Sequence, residues 1–231
     1  MDIRTTPPLG GMTINAARNQ VLRNTYWLLA LSLIPTVIGA MVGMAANVPM
    51  LMAGSPIMGV LLFFGIAFAF MWGIQRNRNS ATGVFLLLGF TFFMGVMLSQ
   101  ILSVALGMNN GGALIAMAGS ATAAIFFSLA MYTSVSKREF SFMGNFLFAG
   151  LILLIIASLA NIFLAIPAMA IAISAIGALL FTGYLLYDLS RIVNGGETNY
   201  ITATLAVYLD VYNLFVSLLN LLMIFNGNDR D

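Results

Sequence analysis

Seven long apolar runs separated by short polar links constrain this chain more than any other feature it carries. Crossing about 30 Å of hydrocarbon takes about 20 helical residues. The runs are Tyr26–Ala46, Ile57–Ile74, Ala81–Leu106, Gly112–Val135, Phe142–Ile166, Ala168–Leu189 and Ile201–Phe225. Lipid offers no hydrogen bonds, so each run must satisfy its own backbone as a helix. The fifth and sixth are joined by little more than Pro167, which suits the first position of a new helix and forces a tight hairpin. Only 7% of the residues are charged, against about 25% in a soluble domain. The expected fold is an all-α integral membrane protein, a seven-transmembrane-helix bundle. Its expected organisation is an N-terminal tail over 1–24, the bundle over 25–226 and a short C-terminal tail over 227–231.

Loop charge sets the orientation. Arg4, Arg18 and Arg23 precede the first run. Arg76 and Arg78 follow the second, Lys137 and Arg138 the fourth, and Arg191 the sixth. Eight of the nine basic residues thus fall on one side of a seven-span topology, and Arg230 alone falls on the other. The N-terminus is expected in the cytoplasm and the tail NGNDRD on the far side. A re-entrant last segment would return that tail to the cytoplasm. The first 24 residues hold Pro7-Pro8 and Gly10-Gly11 and no apolar stretch of signal-peptide type, so no cleavable leader is expected. They are expected to be flexible to about Ala16, with a short surface helix over Asn15–Asn24. Gly39 and Gly43 form a G-x-x-x-G pair suited to close helix approach, and Gly65, Gly89, Gly95, Gly119 and Gly183 are further packing candidates.

Composition removes whole classes of function. The chain has no Cys and no His, which excludes disulfides, thiolate catalysis and the commonest zinc and haem ligands. Nine basic residues in all make no nucleic-acid footprint. No enzyme activity and no resident cofactor are expected.

Two acids stand out against this background. Asp188 and Asp210 lie inside the sixth and seventh runs, whereas every other charge sits in a tail, a loop or a helix end. A carboxylate at membrane depth costs several kcal/mol unless it is protonated, paired or wetted. Asp210, Asn213, Ser217 and Asn220 recur at helical spacing and form one polar stripe, which must face the bundle interior and makes the last helix central. Asp188 shares a face with Ser174, Gly177, Phe181 and Tyr184. The turn at Asn194-Gly195-Gly196 makes the last two helices an antiparallel hairpin, with Asp188 about 10 Å from the turn and Asp210 deeper. If the carboxyls meet, they cannot both ionise cheaply and will share a proton. That is a proton switch without histidine, and it offers two hard oxygen ligands to a cation such as calcium. The alternative is a protonated carboxyl that merely bonds two helices. Arg76 or Arg78 could fold inward onto the ionised pair as a latch, or serve topology alone. With such a latch the path is closed at high pH and open at low pH. Gln100, Ser99, Thr122, Ser128, Ser158 and Asn161 are weaker pathway candidates.

Three segments carry a resemblance: Gly183–Asp188 (GYLLYD), Gly195–Tyr200 (GGETNY) and Tyr208–Phe215 (YLDVYNLF). Together they resemble the signature of the Bax inhibitor (TMBIM) family. Val21–Leu33 and Ala160–Ala175 resemble its bacterial YccA branch. The resemblance implies a seven-helix bundle and a pH-sensitive calcium leak in the bacterial cytoplasmic (inner) membrane. It makes Asp188 and Asp210 the sensor, with calcium ions and protons as partners. A basic latch after the second helix matches Arg76 or Arg78 only loosely. The YccA branch further implies, as the alternative function, modulation of the membrane-bound ATP-dependent protease FtsH. An intramembrane aspartyl protease would need Gly-x-Gly-Asp where this chain has Val207-Tyr208-Leu209-Asp210, and a retinal protein would need a lysine within a span.

Overall fold

A computed structural model describes residues 9–48 and 56–228. Seven long helices follow one another: α1 (Leu9–Ala45), α2 (Pro56–Arg76), α3 (Ala81–Leu106), α4 (Gly111–Ser136), α5 (Gly144–Leu164), α6 (Pro167–Asn194) and α7 (Tyr200–Asn228). A short 3-10 turn, Ser141–Met143, precedes α5. All seven are long and apolar enough to cross a membrane, and no strand occurs among the described residues.

The links follow from local chemistry. Pro167 opens α6 as expected, after an extended Ile166 (φ −86°, ψ 114°), the conformation proline imposes on its predecessor. Asn161 Oδ1 accepts the Ile166 N–H at 3.0 Å, so this side chain closes the hairpin. Gly195 ends α6 at φ +81°, and the Gly196 N–H reaches the Arg191 carbonyl at 2.8 Å, which satisfies carbonyls the helix end leaves open. The expected separate surface helix over Asn15–Asn24 is instead part of one continuous α1 that begins at Leu9. No proline or glycine breaks the chain between Met12 and Ile34, and Val21, Leu22 and Tyr26 already pack on the core.

Lipid tails are as apolar as leucine, so shape and hydrogen bonds hold such a bundle together rather than hydrophobicity. α1 and α3 lie backbone against backbone. A Cβ on Gly39 would collide with the Phe92 carbonyl, one on Gly95 with the Thr36 carbonyl, and one on Gly43 would lie 2.8 Å from the Val96 carbonyl. Gly65 is different: no atom lies within 4 Å of its absent Cβ, so it mediates no packing.

The last helix is central. No side chain from Tyr200 to Ile224 is exposed, and α7 packs on α1, α2, α3, α4 and α6. α5 is the exception, resting on α6 and the turn before it. Hydroxyls fix the register of α7. Tyr208 Oη shares a hydrogen bond with Thr36 Oγ1 at 2.9 Å and also donates to the Thr91 carbonyl, and Tyr212 Oη donates to the Met94 carbonyl at 3.2 Å.

The loops that carry the basic residues gather at one end of the bundle. Asn199 Nδ2 of the α6–α7 turn donates to the Arg78 carbonyl and to Asn79 Oδ1, both at 2.8 Å. Ser190 Oγ and Asn194 Nδ2 donate to the Arg138 carbonyl at 2.9 and 3.1 Å. At the opposite end the Asn110 and Asn226 amides donate to each other, at 2.9 and 3.0 Å.

Candidate functional site

α2, α3, α5, α6 and α7 line a cavity of about 1070 Å³. Its polar lining comes chiefly from α6 and α7: Ser174, Tyr184 and Asp188 from the first, Asp210, Asn213, Ser217 and Asn220 from the second. The stripe read from helical spacing is therefore the inner face of α7. Gly177 lets the two helices approach closely, since a Cβ there would lie 2.8 Å from Ser217 Oγ.

The Asp188 and Asp210 carboxyls face each other within hydrogen-bonding range. Asp210 is 5% exposed, and no N–H or O–H donor reaches its buried Oδ2. Two carboxylates contain no donor, so this contact is a hydrogen bond only when they hold a proton between them. Asp188 is nearer the α6–α7 turn and has a second partner. Arg191 Nη1 lies 3.8 Å from Asp188 Oδ1, one helical turn further on. The Arg191 guanidinium also lies over the Tyr187 ring, 5.5 Å from its centroid.

Neither expected latch arginine reaches the acids. Arg76 lies over the Trp72 ring at 5.5 Å, and the exposed Arg78 meets α7 through its backbone carbonyl, held by Asn199. The Arg191–Asp188 contact is the one ion pair among the described residues. Sequence reading placed Arg191 in the loop, but α6 runs to Asn194 and keeps Arg191 on the helix. The i, i+3 spacing from Asp188 is the signal that could have found it. Asn199 was missed as well. Its Oδ1 accepts the Ile201 and Thr202 N–H groups at 3.0 and 3.2 Å, an N-cap of α7, while its Nδ2 holds the α2–α3 turn. Among the weaker candidates, Gln100 and Ser158 line the cavity. Ser99 and Thr122 bond carbonyls of their own helices, and Ser128 is exposed.

The site is a poor permanent cage for a metal. Calcium takes six to eight oxygen ligands. No group of three or more acids among the described residues could hold an ion, and the two carboxyls present share their surroundings with a guanidinium.

Comparison with known proteins places this architecture. A family model described as "Inhibitor of apoptosis-promoting Bax1" matches residues 18–227. An uncharacterised membrane protein of Vibrio cholerae is 43% identical over 211 residues, 91% of this chain and 92% of its own. A protein of Escherichia coli K12 named modulator of FtsH protease YccA is 39% identical over 204 residues, 88% of this chain and 90% of its own. A relative in another Escherichia coli strain, equally similar, is named inner membrane protein YccA. The span of these matches, from the N-terminal arginines to the end of the central helix, shows that the chain belongs to the Bax inhibitor family.

Proposed function

We propose that this chain is a modulator of the membrane-bound protease FtsH in the bacterial inner membrane, doing no chemistry itself. The observation that carries this reading is its 39% identity to the Escherichia coli modulator along 88% of its length. In this reading the N-terminus is cytoplasmic, since the basic loops would face the side on which positive charge is retained. The test is the half-life of a membrane substrate of FtsH, followed with the chain absent, native or overproduced, together with co-isolation of the protease. Overproduction is expected to lengthen the half-life. An unchanged half-life with no co-isolated protease sinks the reading.

One observation favours a second reading, a proton-sensitive calcium leak: the two acids line one cavity whose polar stripe continues along α7. Protonation would neutralise Asp188 and loosen its hold on Arg191 in the closed form. Calcium flux into vesicles carrying the purified chain tests this. Native protein is expected to leak more at low pH, and Asp210→Asn to flatten that dependence. If Asp188→Asn with Asp210→Asn responds to pH like the native chain, the acids are not the sensor. Running the same variants in the degradation assay separates the two readings.

A further inference from the structure

The cavity is open on one side. α2 and α5 both line it, yet among the described residues they do not pack on each other. Phe68 of α2, Val104 of α3 and Ile162 of α5 line it while remaining 62%, 64% and 47% exposed. The gap between α2 and α5 therefore opens the cavity sideways, along helices long and apolar enough to cross a membrane. Most of the wall is apolar or aromatic, including Phe63, Leu154, Leu159 and Phe181. Deep inside, the buried Asp210 Oδ2 has no donor.

Charge bookkeeping narrows what fits. Arg191 balances Asp188, and among the described residues no ion pair reaches Asp210. An ionised Asp210 thus needs one positive charge that can arrive through hydrocarbon. Aromatic faces at Phe181, Tyr184 and Tyr212 line the same region, and such faces attract organic cations. From Asp210 to Asn220 the cavity follows α7 for about 15 Å, at 1.5 Å per residue, enough for a medium-length alkyl chain. An anionic amphiphile would meet two acids, and a neutral one would leave Asp210 unmatched.

We propose that this lateral cavity binds membrane-partitioned amphiphilic cations, a single ammonium head on an apolar body. The head sits on Asp210, and the body lies along α7 between α2 and α5. The site requires neither FtsH nor ion flux.

The test uses the full chain in nanodiscs of zwitterionic lipid, titrated with dodecyltrimethylammonium. Dodecyl sulfate and dodecanol are controls with the same tail. Saturable binding of the cation is expected, at least about tenfold tighter than either control. Asp210→Asn is expected to weaken it about tenfold, Leu159→Trp to weaken it by filling the chamber, and Arg191→Gln to leave it undiminished. Equal binding of the cation and dodecanol to the native chain overturns the proposal, whatever the variants do. So does undiminished cation binding by an Asp210→Asn variant that melts like the native chain. Either result would mean that the chamber accepts hydrocarbon without reading charge.

Discussion

Asn199 does two jobs with one amide, and substitution can separate them. Its Oδ1 caps α7 through Ile201 and Thr202, and its Nδ2 holds the α2–α3 turn through the Arg78 carbonyl and Asn79 Oδ1. Loss of an N-cap costs about 1 kcal/mol. Two partly exposed amide bonds at the low end of the usual range add about 1 kcal/mol together. Asn199→Ala should therefore cost about 2 kcal/mol. Asn199→Asp keeps an acceptor for the cap and gains slightly from the helix dipole. It removes the donor, however, and points negative charge at two oxygens, so only the tether is lost. Hydrogen exchange reads both ends at once. Opening by about 1 kcal/mol raises exchange roughly fivefold. The amides of Ser80 and Gly83, which bond within this turn, should exchange faster in both variants. Those of Ile201 and Thr202 should exchange faster in Asn199→Ala alone. If Asn199→Asp protects the turn as well as the native residue does, the amide tether carries no free energy and the reasoning fails.

Three further outcomes follow from packing. Gly95→Val drives a branched side chain into the Thr36 carbonyl and should lower the melting temperature sharply, whereas Gly65→Val, with open space around it, should leave melting unchanged. Tyr208→Phe keeps the ring and loses its bonds to Thr36 and Thr91. It should cost about 1 kcal/mol in a reversible unfolding assay, and a neutral result would mean that Thr36 and Thr91 find other partners. Ser190→Ala removes the acceptor of the Phe140 N–H and one donor to the Arg138 carbonyl, so proteolysis in the α4–α5 link should accelerate while the rest of the chain stays resistant.

Much of this was readable from periodicity, because a membrane leaves few choices. Seven apolar runs became seven helices, Pro167 opened the sixth, and the spacing of Asp210, Asn213, Ser217 and Asn220 located the inner face of the seventh. What escaped depended on where helices stop. Arg191 was read as a loop charge because the apolar run ends near Leu189, yet the helix continues to a glycine cap and brings the guanidinium back one turn onto Asp188. Arg76 and Arg78 had the right sign and the right end of the bundle. Distance along a sequence cannot say that one lies over its own Trp72, or that the other contributes only a carbonyl. Asn199 looked like an ordinary turn residue because half of its partners lie about 120 positions away.

The gap between α2 and α5 has a consequence for what the molecule is. One wall of the chamber that holds the acids is not encoded by the gene. Acyl chains must supply it, so the chamber's size and contents belong jointly to the polypeptide and to whichever bilayer surrounds it. A thicker or stiffer membrane tilts helices differently and would remodel the site with no change of sequence. Extraction into detergent would change the material of that wall itself.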